Sequence, residues 1–281
     1  MAGQNNENAN PPKLSRLQIE LPAGLLATAD WLKARGYYRQ LLSHYVSSGW
    51  LESPARGVYR RPGEALKWQQ VVASLQNLLR LPVHVGGLSA LEAQGKGHFL
   101  RLNGVVTVHL YARQRLPAWL GKLPLADRFA VHADRLFTEP AASAVNEARD
   151  AAAVWSPPGI GLTQLTWGAY DTPLTYSTLE RAFLELLDDC GEPGAIVHAN
   201  QILQGLTTLS PRRLQALLAA CRSIKVKRLF FALAGRHDHQ WVSALDPKQF
   251  DLGKGKRQLT PGGRLHSKYL ITLPAELDDA Y

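Results

Sequence analysis

The run TADWLKARGYYRQLLSHYVSSGWLESPARGVYRRP, Thr28 to Pro62, constrains the fold more than any other stretch of the chain. Thr28 with Asp30 two places on reads as an N-cap and first turn, and Gly36 as the left-handed stop of that short helix. A further helix is predicted over Tyr38 to Ser48, with Leu41, Leu42, Tyr45 and Val46 as its apolar face and Gly49 as its stop. Trp50-Leu51-Glu52, a turn through Pro54 to Gly57, and Val58-Tyr59-Arg60 then read as a tight hairpin. Leu14, Leu17 and Leu21 mark a helix ahead of the run. Three short helices and a hairpin, in that order, describe a winged helix-turn-helix.

That fold assigns roles to the polar side chains. The exposed face of the third helix carries Tyr38, Arg39, Gln40, Ser43, His44 and Ser47, which can reach base edges in a major groove. Arg56, Arg60 and Arg61 in the hairpin are candidate phosphate contacts. The competing reading is that they are solvated charges guarding an edge hairpin. A net charge of +9 and an isoelectric point near 9.7 favour an acidic partner, double-stranded DNA first and an anionic membrane well behind.

The charge is uneven. Arg212 to Lys268 holds thirteen Lys and Arg against three Asp, so the remainder of the chain is close to neutral. Lys225, Lys227, Arg228, Lys254, Lys256 and Arg257 form either a second nucleic-acid patch or a solvated face; the sequence leaves both open.

The 281 residues suffice for two domains, read as a flexible tail over 1–13, a winged helix over 14–66 and an α+β domain over 67–281. In the larger part a helix is predicted over Ala65 to Leu81, and a hairpin of Phe99 to Leu102 and Val105 to Tyr111 around Asn103-Gly104. Strands are predicted near Phe129 to Phe137, Leu162 to Trp167, Val226 to Leu233 and Leu265 to Leu273. Ser177-Thr178-Leu179-Glu180 reads as a capping box, and Ser210-Pro211 as another helix start.

No run is long and apolar enough to span a membrane, and the N-terminus lacks a signal peptide's pattern, which together predict a cytoplasmic protein. Cys190 and Cys221 lack ligand spacing and read as packing residues. His237-Asp238-His239 lacks a third metal ligand and reads as a solvated turn. His266-Ser267-Lys268 begins like a phospholipase D-type HxK motif, but Leu273 stands where its acid belongs. The glycine-bearing loops lack GKS/T or GxGxxG. The expectation is therefore no catalytic residue, no cofactor and no metal.

Three groups of segments carry a family resemblance: YYRQLLSHYVSSGWLESPARGVYRRPG; VHVGGLSALEAQGKGHFL with LPAWL; and TLERAFLELLDD, LSPRRLQALLAACRSIKVKRLFFALA and FDLGKGKRQLTPGGRLHSKYLITLP. In these the chain resembles the AbiEi antitoxins, transcriptional regulators of type IV toxin-antitoxin and abortive-infection systems. The resemblance implies an N-terminal winged helix that binds inverted repeats in its own promoter. It also implies a C-terminal domain for cooperative repression and for countering an AbiEii-type nucleotidyltransferase toxin without stable contact. The alternative is a nucleic-acid enzyme that uses the winged helix for targeting; a third reading has the winged helix bind protein.

Overall fold

The structure, a computed structural model, describes residues 13–97, 105–138, 159–169, 171–259 and 261–280. Residues 1–12 of the expected tail, and the expected strand Phe99 to Leu102 with its Asn103-Gly104 turn, lie outside the described residues. The architecture is α+β, in two compact units: Met1–Leu81 with Pro117–Ala126, and Pro82–Leu116 with Asp127–Tyr281.

The first unit runs α1 (Lys13–Glu20), β1 (Ala27–Thr28), α2 (Ala29–Lys33), α3 (Arg39–Ser47), β2 (Glu52–Ala55) and β3 (Val58–Arg60). Thr28 Oγ1 accepts the Trp31 N–H at 3.2 Å, the cap its sequence position requires. Gly36 at φ 87° and Gly49 at φ 73° end α2 and α3 in backbone that a Cβ would strain. β3 lies between β1 and β2, all antiparallel, so the hairpin gains a third strand of two residues. This is the order of helices and strands expected of a winged helix-turn-helix.

Leu17, Leu21, Leu32, Tyr37, Leu42, Tyr45 and Leu51 form the core of this unit, which is why the apolar spacings predicted the helices correctly. Buried Tyr37 donates to Glu20 Oε2 at 3.1 Å; burial and that bond push its phenol up to about 12. The helix expected from Ala65 starts only at Trp68: α4 (Trp68–Ala73) runs into a wider π turn, Ser74–Leu78. There buried Ser74 donates to the Gln70 carbonyl at 2.6 Å and accepts the Leu26 N–H at 2.7 Å. A side chain competing with the backbone ladder accounts for the widening.

The second unit is built on a five-stranded sheet of β4 (Val83–Val85), β5 (Thr107–Ala112), β6 (Arg128–Ala133), β7 (Leu162–Trp167) and β8 (Thr172–Ser177), in the order β6-β5-β4-β8-β7. β5–β6 and β4–β8 pair parallel; β4–β5 and β7–β8 pair antiparallel. Its helices are α5 (Gly87–Ala93), α6 (Leu179–Asp189), α7 (Pro193–Gln204), α8 (Pro211–Ala220), α9 (Ile224–Ala234) and α10 (Gln240–Ser243), followed by the hairpin β9 (Arg264–His266) and β10 (Ile271–Leu273). Ser210 caps α8 as expected, accepting the Arg213 N–H at 3.4 Å.

Three expectations fail here, the first being the single strand over Leu265 to Leu273, which turns back at 267–270 and pairs with itself as β9 and β10. Val226 to Leu233 is helix α9, not a strand: Ser223 Oγ caps it through the Val226 N–H at 3.3 Å, and every residue from Val226 to Ala234 is buried. A helix covered on all sides shows no apolar stripe, so its run of large apolar residues imitates a buried strand. The capping box at α6 does not close either. Ser177 Oγ donates to Glu185 Oε2 at 2.7 Å, while Glu180 accepts the Ser210 N–H at 2.8 Å and Arg213 at 3.2 Å.

Glu185 is the hub of a buried polar network. Its Oε1 accepts Arg181 Nε at 2.7 Å and lies 3.0 Å from His84 Nε2; its Oε2 accepts the Gly87 N–H at 3.0 Å. Arg181, 1% exposed, also donates to Asp134 at 2.6 Å and to the Ile160 carbonyl at 2.8 Å. Burial alone would raise the Glu185 carboxyl, but the Arg181 charge and the His84 bond outweigh it and hold it at about 2. Cys190 and Cys221 are buried free thiols, and burial pushes both up to about 11.

Candidate nucleic-acid interface

The first unit displays its polar side chains through α3 and the β2–β3 hairpin. Burying Leu42 and Tyr45 against the core turns Arg39, Gln40, Ser43, His44 and Ser47 outward, all exposed. Tyr38 stands just before the helix in extended backbone, 53% exposed, with Lys13 Nζ 5.1 Å from its ring centre. Its side chain makes no cap hydrogen bond, and no acid lies in the first turn of α3. The positive end of the helix dipole therefore faces outward beside Arg39, a surface suited to an anion.

The wing splits the three arginines. Arg56 is exposed at the turn, where Gly57 takes φ 75°. Arg61 is half-buried and donates to the Gln18 carbonyl at 3.2 Å. Arg60 is only 9% exposed: its guanidinium meets Glu52 at 2.7 Å and donates to the Glu64 carbonyl at 3.0 Å. It ties β3 to β2 and to the chain beyond, so it stands apart from the solvent-facing phosphate contact expected of it. Val58 and Arg60 both point inward, because they share one face of a strand whose period is two. Glu52, the sole acid between Trp31 and Arg61, is paired with Arg60.

The basic region of the second unit divides in the same way. Lys254, Lys256 and Arg257 are exposed. Lys227 and Arg228 are 5% and 2% exposed, and Lys225 Nζ donates to the Asp188 and Cys190 carbonyls. These three do not form the surface expected of them. Lys227 and Arg228 are buried with the body of α9, a burial the sequence did not reveal, while half-buried Lys225 at its start is held by the two carbonyls. Arg228 instead positions the loop that carries the exposed cations, donating to Leu252, to Gly255 at 2.7 Å and to Leu270 at 3.2 Å.

A side-chain chain that sequence reading missed runs across β5, β6 and α6. His109 Nδ1 lies 2.9 Å from His132 Nε2, His132 Nδ1 lies 3.2 Å from Asp189 Oδ1, and Tyr111 donates to Asp189 Oδ2 at 3.0 Å. Burial raises the Asp189 carboxyl, but the His132 and Tyr111 bonds prevail and hold it below its ordinary value. The N–N contact needs one donor and one acceptor, so full protonation of both rings breaks it. Among the described residues His109, His132 and Asp189 also meet the spacing for a metal ion, but Asp189 bonds the His132 nitrogen opposite to the one facing His109. Only the parallel pairing of β5 with β6, which sets Tyr111 opposite His132, brings the two histidines together.

A small helical unit with a basic outer face, ahead of a larger α+β unit, is the organisation of a two-part transcriptional regulator. Residues 10–102 match the family described as transcriptional regulator, AbiEi antitoxin N-terminal domain, and residues 104–274 match transcriptional regulator, AbiEi antitoxin, type IV toxin-antitoxin system. The chain belongs to the AbiEi antitoxin family of transcriptional regulators. No curated protein matches it in sequence. A solved structure, that of the RV2827C protein from Mycobacterium tuberculosis, is similar over 92% of this chain and 89% of its own, at 16% identity and a TM-score of 0.52. That likeness concerns the fold alone. Among the described residues no helix is long and apolar enough to cross a membrane.

Proposed function

We propose that this chain is a repressor of its own operon, binding inverted repeats in duplex DNA through the first unit, and the antitoxin to a nucleotidyltransferase-type toxin. Helix α3 enters the major groove, where Arg39, Gln40, Ser43, His44 and Ser47 face base edges and Tyr38 flanks the backbone. Arg56 and Arg61 meet phosphates from the wing, while Arg60 keeps the wing in shape. Lys254, Lys256 and Arg257 offer a second positive surface for DNA. Family membership supports the antitoxic role, which in this reading needs no stable contact with the toxin.

The observation that carries the DNA reading is the exposed face of α3, polar throughout, free of acid in its first turn and led by Arg39. The test is binding of Arg39→Ala/Gln40→Ala to promoter and to random duplex at one salt concentration. A base-reading pair contributes about 1 to 3 kcal/mol of discrimination, so the promoter preference should fall at least several-fold while random binding changes less. An unchanged ratio sinks the assignment of α3 as the reading helix.

A further inference from the structure

Two sequence features that DNA binding leaves unused, His237-Asp238-His239 and His266-Ser267-Lys268, meet at one place in the second unit. The end of α9 delivers Arg236 and His237, the turn before α10 delivers His239, and β9 with its turn delivers His266, Lys268 and Tyr269. They surround a concavity of about 810 Å³. That lies within the range of small-molecule sites, roughly 300 to 1,000 Å³.

The rings are fixed in place. His237 Nε2 lies 3.0 Å from Asn200 Oδ1, His239 Nε2 lies 2.9 Å from the Leu203 carbonyl, and His266 Nδ1 accepts the Tyr269 N–H at 3.4 Å. The carbonyl partner sets the His239 proton on Nε2, and the backbone donor sets the His266 proton on Nε2. The His237 and His239 rings lie nearly parallel, 5.4 Å between centres. Arg236 is anchored by donating to the Leu277 carbonyl, and Lys268 is exposed.

Against these five cationic or protonatable side chains the lining holds one acid, Asp238, exposed. The concentration is self-repelling: burial, then His239 and Arg236, keep His237 below its ordinary value, and burial with Lys268 and Arg236 does the same for His266. A bound anion would relieve it.

We propose that this pocket binds a small, multiply charged phosphate compound, with Lys268 and Arg236 as fixed charges, the free Nε2–H of His266 as a donor, and His237 and His239 donating through Nδ1 once protonated. A lone phosphate would underfill the space, so the fitting class is a polyphosphate or a phosphate ester of nucleotide size. A concavity suits such a molecule better than a duplex backbone. The inference is independent of DNA binding by the first unit.

The experiment is calorimetric titration of the full chain with pyrophosphate, beside Lys268→Ala and His266→Asn, with melting used to check folding. Saturable binding of one pyrophosphate is expected, weakened at least tenfold by Lys268→Ala. It should also tighten as pH falls from 8 to 6, by up to about tenfold per pH unit for each proton taken up. Lys268 is exposed, so its variant remains informative if His266→Asn unfolds. No saturable heat with millimolar pyrophosphate overturns the proposal, as does a folded Lys268→Ala that binds unchanged. Displacement of pyrophosphate by a duplex also overturns it, because the phosphate source would then be nucleic acid.

Discussion

Glu185→Gln should destabilise the second unit by on the order of 3 kcal/mol at pH 7. Glu185 and Arg181 have side chains 1% exposed and 2.7 Å apart. Removing one charge of a buried pair costs about 3 to 5 kcal/mol, and Arg181 keeps Asp134 at 2.6 Å, which places the loss at the lower end. The carboxyl sits at about 2 against an ordinary 4.5, a difference that also corresponds to roughly 3 kcal/mol. The folded value is the lower one, so this stability is present above about pH 4.5 and disappears as pH falls towards 2. Gln keeps the shape but turns its amide donor toward groups that themselves donate, either Ser177 and Gly87 at one position or Arg181 at the other. Urea unfolding followed by the fluorescence of the seven tryptophans, buried Trp241 among them, measures the loss as a midpoint shift of about 1 to 2 M. The variant should also have a flatter acid limb than the wild type. A loss under about 1 kcal/mol, or an unchanged acid limb, would refute the network as the source of this stability.

The wing makes a paired prediction. Arg56→Ala should reduce the salt slope of DNA binding by about one unit, whereas Arg60→Met should lower the melting temperature and leave the slope alone. A slope change in folded Arg60→Met would return that residue to the DNA contacts. Gly49→Ala meets no atom within 4 Å but must adopt φ 73°, so a destabilisation of about 1 kcal/mol from backbone strain alone should appear in denaturant melts. Arg228→Met should free the loop whose carbonyls it holds, and tryptic cleavage after Lys254 and Lys256 should speed up severalfold; unchanged cleavage would show the loop is held by other contacts.

The sequence by itself determined whatever depends on neighbours along the chain. Thr28, Gly36 and Gly49 act on their own backbone, so the caps and stops of α2 and α3 were legible, and with them the outward face from Arg39 to Ser47. The apolar spacing of α1 and α3 was legible because each buries one side only. Only the tertiary structure decided what depends on distant partners. Arg60 and Arg61 are chemically alike and adjacent, yet the pleat turns one to Glu52 and the other outward to the Gln18 carbonyl. Helix α9 lost its periodic signature because α6, α7 and β10 cover it, and that burial took Lys227 and Arg228 out of the basic surface. His109 with His132, and His237 with His266, are brought together by strand pairing and helix packing, contacts whose cost and gain are settled across many residues of separation rather than by local spacing.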